Sequence, residues 1–200
     1  MACLALAAPK KTSQRGCVSY TEQVTSEITI QPVVSTDLPD IITVHKAAYA
    51  KAYINSDLGI TEQLLHDHVY DDQYDRPSFG ARLDEYHSER STRDANTRYV
   101  IARLGTTIVG YATTLRKEPG GFLDGLYVHP DQQGAGIGRL LLRDAEAFAR
   151  GPLSLYVVEH APAFGFYISQ GYRRTNGPDF HVPLVNGPYM KLVELSNSQP

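Results

Sequence analysis

Cysteine is scarce in this chain of 200 residues: Cys3 and Cys17 are the only two, and both lie in the N-terminal leader. The body therefore has no disulfide framework and no thiol nucleophile, which fits a reducing compartment and a cytoplasmic location. A strong excess of one charge is also missing, with 19 Lys and Arg against 22 Asp and Glu. No basic block stands out, so a sequence-independent grip on nucleic-acid phosphates is not expected. No apolar run approaches the roughly 18 residues of a membrane helix, and no membrane partner is expected. The opening MACLALAAPKK has its lysines after a short apolar stretch, the reverse of a secretion signal. Residues 1–25 read as a disordered tail, and residues 26–200 as one domain. His66, His68 and Asp71 suggest metal ligands, but positions i and i+2 do not share a helix face, so no metal is expected.

What is present is an alternation of periods. EITIQPVV (27–34) reads as a strand. Ser35, Thr36 and Asp37 are helix N-cap candidates, and behind them Ile41, Val44, Ala48 and Ala52 share a helical face. A second helix starts at 61–70, and another segment with helical period lies around 78–90. RYVIARL (98–104) and TIVGYATTLRK (107–117) form an antiparallel hairpin around Gly105-Thr106. Gly120-Gly121 breaks the chain before a strand at 122–128. A helix at 138–150, a strand at 153–159 and a short helix at 161–170 follow, the last ended by Gly171. Two strands at 172–176 and 188–195 close the chain, joined by a loop with Pro178, Pro183 and Gly187. The order predicts an α/β protein on a mixed sheet.

The stretch YVHPDQQGAGIGRLLL places Gly134, Gly136 and Gly138 where the strand hands over to a helix. A Walker loop would need Lys-Ser or Lys-Thr where Arg139-Leu140 stands. A dinucleotide fingerprint fails by one residue in its spacing. A third reading has backbone N–H groups at the helix N-terminus cradling a pyrophosphate. A glycine-rich turn with only a packing role also fits the spacing.

The segment resembles the acyl-CoA-binding motif of the GNAT superfamily, the Gcn5-related N-acetyltransferases. Gln133, Gly136 and Gly138 take the Gln/Arg-x-x-Gly-x-Gly/Ala positions, and Gly134 matches an extra glycine of many members. Downstream, EHAPAFGFYISQGYRR is similar to a second family signature through Ala163, Phe166-Tyr167 and Gly171-Tyr172. The resemblance implies a mixed, mostly antiparallel sheet of about six to seven strands flanked by helices. Its central parallel pair, here 122–128 and 153–159, would splay to admit acetyl-CoA. The pantetheine arm would pair along Leu126, Tyr127 and Val128. The pyrophosphate would rest on the amides of Gln133, Gly134, Ala135, Gly136, Ile137 and Gly138, with added charge from Arg139. Phe166 and Tyr167 would lie beside the cofactor, with Tyr167 as general acid for the departing thiolate. His160 stands where the family often has Asn; cofactor contact, a base near the amine and a plain surface histidine are all open. A glutamate common in the family is replaced by Phe122, so the base is Asp124, Glu159 or a water relay, with a structural bond from Asp124 to neighbouring backbone equally open. Leu141, Ala145 and Phe148 should be core.

The resemblance also implies transfer of acetyl to an amine in a ternary complex, with acetyl-CoA as co-substrate and no covalent enzyme intermediate. It places acceptor choice in roughly 53–92 and 177–188. Tyr53, Tyr70, Asp71, Asp72, Tyr74, Asp75, Asp84, Glu85 and Tyr86 suit a small cationic amine or a polyamine. Arg76, Arg82, Arg90 and Arg93 in the same segment suit an acidic acceptor, and a solvated helical surface fits most of these residues too. A protein N-terminus or lysine as acceptor, or a non-catalytic acyl-CoA sensor, are the rival readings. A monomer and a homodimer both remain open.

Overall fold

The computed structural model describes residues 27–65, 79–92, 95–159, 161–183 and 189–198. The tail expected over 1–25 and the trio His66, His68 and Asp71 lie outside the described residues. Among the described residues, eight strands form one sheet: β1 (Ile28–Pro32), β2 (Thr97–Leu104), β3 (Thr107–Lys117), β4 (Gly120–Val128), β5 (Leu153–Val158), β6 (Arg173–Arg174), β7 (Phe180–Pro183) and β8 (Tyr189–Ser196). Their order is β1-β2-β3-β4-β5-β8-β6, with β7 beside β6 on the free side of β8. Every pairing is antiparallel except β4 with β5. The strand beyond those expected is β7, in the stretch that Pro178 and Pro183 had marked as loop. Its pairing with β8 puts Pro183 at the strand end, on an edge strand, where sheets tolerate proline.

Among the described residues, four longer helices cover the sheet: α1 (Leu38–Tyr53), α2 (Phe79–Ser91), α3 (Ile137–Ala149) and α4 (Pro162–Ser169). A helical turn at 62–65 lies between the first two. The alternation of each strand decides which helices it meets. Val100, Ala102 and Ala112 join Leu141, Leu142 and Ala145 in a core on the α3 face. Tyr99, Ile101 and Tyr111 point the other way and pack with Ile41 and Val44 of α1. On α3 the buried stripe is Ile137, Leu141, Leu142, Ala145 and Ala149. Phe148 falls on the flank of that stripe instead of in the core. Its ring is half-buried beneath the Arg116 guanidinium, whose central carbon lies 4.1 Å from the ring centroid.

The parallel pair is short. Gly121, Phe122 and Leu123 register with Leu153, Ser154 and Leu155, and the two strands then part. Gly120 opens β4; it does not break the chain before it. A Cβ on Gly120 would stand 2.0 Å from the Pro152 carbonyl oxygen, so only glycine allows the close approach that joins the strands at this end. The Gly121 N–H donates to the same oxygen at 2.8 Å. Three residues further on, β4 has a bulge against β3: Thr113 registers with Gly125 and Thr114 with Leu123, leaving Asp124 as the extra residue. A bulge bends its strand, and here the bend begins where the pairing with β5 stops.

Candidate functional site

The parting of β4 and β5 makes a V-shaped fork. One arm is Asp124–Val128, paired on one edge with β3, and the other is Tyr156–Val158, paired with β8. At the tip of the first arm the chain turns through residues 129–136 into α3. Gly134 and Gly136 have φ of +86° and +82°, the left-handed region that side chains disfavour. A Cβ built on either would meet nothing within 4 Å, so both face open space. Among the described residues, no backbone carbonyl takes the N–H groups of residues 134 to 138. These bare donors and the N-terminal end of the α3 dipole make an anion cradle. The turn thus fits the pyrophosphate of an acyl-CoA.

Gly138 has a different job from its two neighbours. A Cβ there would make ordinary contact with the Phe166 ring at 3.4 Å and with Leu126 at 3.9 Å, so Gly138 lies where α4 packs on the first turn of α3 and does not face open space. The ligand reading therefore applies to Gly134 and Gly136, and the packing reading to the side of Gly138 that meets Phe166. Gln133 does not reach into the cradle with its side chain. Its Nε2 donates to the Val128 carbonyl at 3.1 Å and ties the turn back to the tip of β4.

Tyr167 sits on α4 and is 6% exposed. It shares a cluster with Val128 on one arm of the fork and Val157 on the other. Burial raises the pKa of its hydroxyl, and the nearby Tyr53 raises it further. The α4 helix ends at Gly171, whose φ of +93° lets the Tyr172 N–H return to the Tyr167 carbonyl at 3.1 Å.

The two carboxylates near the fork are both engaged. Asp124 Oδ2 accepts from Arg90 Nε at 2.7 Å and from the Tyr86 hydroxyl at 3.2 Å. Glu159 pairs with Lys191 at 3.0 Å and Arg174 at 2.7 Å, and Asp179 completes this four-charge group. The Lys191 hydrogen bond holds the Glu159 carboxyl below its usual pKa, which makes it a weaker base. His160 lies outside the described residues.

On the α1 side of the sheet lies a buried polar group that sequence reasoning missed. His45 Nδ1 is 3.3 Å from His87 Nε2 and 2.6 Å from the Tyr111 hydroxyl. The Tyr99 hydroxyl bonds to His87 Nδ1. The His45 ring stacks on Tyr127 with centroids 4.4 Å apart. Burial, then the neighbouring His87, lowers the His45 pKa to about 3; burial, then the Arg90 charge, lowers that of His87 to about 4. Both rings are thus neutral near pH 7. A signal was available: His45 continues the buried step from Ile41, and His87 that from Leu83, each four residues on. Of the acceptor-side candidates, Tyr53, Tyr86 and Arg90 join this group, whereas Tyr70, Asp71, Asp72, Tyr74, Asp75, Arg76 and Arg93 lie outside the described residues.

The profile of the acetyltransferase (GNAT) family matches residues 63–172. The chain belongs to this family. The matched stretch contains both arms of the fork, the amide turn and Tyr167. N-alpha-acetyltransferase RimI of Mycobacterium tuberculosis is 37% identical over 91 residues, 42% of this chain and 58% of that relative. The chain thus spans little more than half the length of this curated relative. The fold is shared with solved structures of low identity. PaiA N-acetyltransferase from Thermoplasma acidophilum, in complex with coenzyme A, has a TM-score of 0.57 at 21% identity, covering 84% of this chain and 98% of that one. The ribosomal-protein-S18-alanine N-acetyltransferase of Escherichia coli has a TM-score of 0.57 at 18% identity, covering 85% and 92%. The GNAT family uses acetyl-CoA as co-substrate, and the cradle described above suits it. Among the described residues, no helix is long and apolar enough to cross a membrane, and no cluster of three His, Cys, Asp or Glu is placed to hold a metal.

Proposed function

We propose that this protein transfers the acetyl group of acetyl-CoA to a primary amine, and that the amine is the N-terminus of a protein or peptide. The observation that carries the reading is the fork between β4 and β5 opening toward an amide turn with free donors. Bound there, acetyl-CoA supplies an activated thioester. Leu126, Tyr127 and Val128 offer the arm of β4 to its pantetheine, and residues 133–138, with Arg139 alongside, offer amides and charge to its phosphates. Tyr167 holds its hydroxyl toward the departing sulfur. Its raised pKa keeps it protonated at neutral pH. A thiol of ordinary pKa about 8.5 is the stronger acid, so Tyr167 acts as a hydrogen-bond donor. The proton that ends on sulfur comes from the attacking amine. Asp124 and Glu159 are already ion-paired, which favours water as the carrier of that proton.

Two points support an N-terminal acceptor. The relative in M. tuberculosis is named an N-alpha-acetyltransferase. The carboxylate beside the fork, Asp124, is neutralised by Arg90, which removes a negative charge that would favour a polycation over a single amine. The second reading is a small amine or polyamine, favoured by the aromatic faces of Tyr49 and Tyr53, whose centroids are 4.5 Å apart. Release of CoA thiol from acetyl-CoA with peptides and with linear polyamines separates the readings. Faster turnover of peptides supports the first and faster turnover of polyamines the second. Binding without any thiol release would make the protein an acyl-CoA sensor. Tyr167→Phe should lower kcat about 10²-fold, by loss of one donor to developing charge, and leave the Kd for coenzyme A within twofold.

A further inference from the structure

The place where β4 leaves β5 is also the place where α2 grips β4. Pairing between the strands ends at Leu123 and Leu155, and the next residue of β4 is the bulged Asp124. A bulged residue has no ladder partner of its own. Here its side chain is held from across the sheet face. Arg90 Nε and Nη2 reach Asp124 Oδ2 at 2.7 and 2.6 Å, and the Tyr86 hydroxyl reaches the same oxygen at 3.2 Å. The Arg90 guanidinium carbon lies 3.5 Å from the centroid of the Tyr86 ring, so the two α2 side chains also brace each other. The side chains of Arg90 and Asp124 are only 15% and 20% exposed, where solvent screens a charge pair poorly. Beyond the bulge, the Tyr86 hydroxyl also lies against Gly125, 3.6 Å from where a Cβ would stand.

We propose that Arg90 and Tyr86 are positioning residues that hold the bulge at Asp124 and thereby keep the fork open. The proposal rests on reading the fork as the acyl-CoA cleft. Neither residue needs to touch the ligand, because both act from the α1–α2 side of the sheet. The clamp has something to oppose. Asp124–Val128 and Tyr156–Val158 each have one edge that does not pair with the other arm. Two adjacent strands with unpaired edges gain hydrogen bonds by zipping together. Without the clamp, β4 can lose its bend and extend its pairing with β5 into the cleft.

The test uses the full chain in five forms: the natural sequence, Arg90→Ala, Asp124→Ala, the double variant and Arg90→Lys. Coenzyme A affinity is read by calorimetry and amide exchange by hydrogen–deuterium exchange. Each alanine variant should weaken coenzyme A binding about tenfold, and the double variant should be no worse than the worse single one. Arg90→Lys should recover part of the loss. In the alanine variants, amides on the facing edges of 124–126 and 156–158 should exchange more slowly, since the zipped strands protect them. A general loss of stability would instead speed exchange throughout. The proposal is overturned if the single variants bind within twofold of the natural sequence, if their losses add, or if no fork amide gains protection. Failure of the natural sequence to bind coenzyme A would count against the functional reading alone, and the exchange data would still test the clamp.

Discussion

Replacing Gly136 by valine abolishes practical coenzyme A binding, while the fold survives. Gly136 caps α3 with φ near +82°, and no heavy atom stands within 4 Å of a Cβ built there. A β-branched residue in the left-handed region costs about 1–2 kcal/mol, which a domain of this size tolerates. The functional loss is larger, because the new side chain fills the space in front of the bare amides. Hydrogen bonds to a charged group contribute about 1.5–3 kcal/mol each. Losing the use of two weakens binding about 100-fold or more, since about 1.4 kcal/mol is tenfold. Gly171→Val is the matched control. Gly171 has φ of +93° and equally open surroundings, but it caps α4 at its far end. It should lower thermal stability by a similar amount and leave the Kd within threefold. Calorimetric titration of both variants, with thermal melts beside it, checks the pair. Equal losses of affinity in the two would refute the cradle.

Acid should destabilise the protein well before its carboxylates are protonated. The cause is the neutral pair His45 and His87, whose pKa values are lowered in the fold to about 3 and about 4 from 6.5. Both are groups of depressed pKa, so the unfolded chain binds protons that the native one refuses. Stability is then fully present above pH 6.5 and is lost as pH falls toward 4. Each histidine contributes a slope of up to about 1.4 kcal/mol per pH unit. Between pH 6 and 4.5 the pair removes on the order of 3 kcal/mol, a large part of a typical domain's 5–15. Ion-paired Glu159 acts only at lower pH, below the ordinary 4.5 of a glutamate. Urea unfolding at half-unit steps from pH 7.5 to 4.5 measures the slope. Replacing His87 by Gln should roughly halve it. A flat profile down to pH 5 would show that the two rings take up protons without strain.

Much of this molecule was legible because its local chemistry is periodic. The i, i+4 run Ile137, Leu141, Ala145 marks the buried face of α3 without any knowledge of the sheet. Gly134 and Gly136 mark the turn, since only a demand on φ or on open space explains them there. The element order followed from such cues, and so did the splayed pair once the family resemblance was seen. What escaped depends on partners distant in sequence. Gly120 looked like a breaker because its reason, the Pro152 carbonyl, is 32 residues away in the chain. Asp124 read either as a base or as a partner of neighbouring backbone, and its actual partner Arg90 was hidden 34 residues upstream. Phe148 looked like core because hydrophobicity does not say that Arg116 will stack on its ring. The bulge has no local signature either: it is a mismatch of count between β3 and β4, visible only when the two strands are laid side by side.

The central claim is that the backbone of one turn, and not a side chain, holds the phosphates of the acyl carrier at the tip of an opened strand pair. Amide chemical shifts followed residue by residue during a coenzyme A titration test it most directly. The account predicts that the largest changes fall on the N–H groups of residues 134–138, with smaller ones along 124–128 and 156–158, all saturating at one equivalent. Saturable shifts centred anywhere else, or none at all at millimolar coenzyme A, would contradict it.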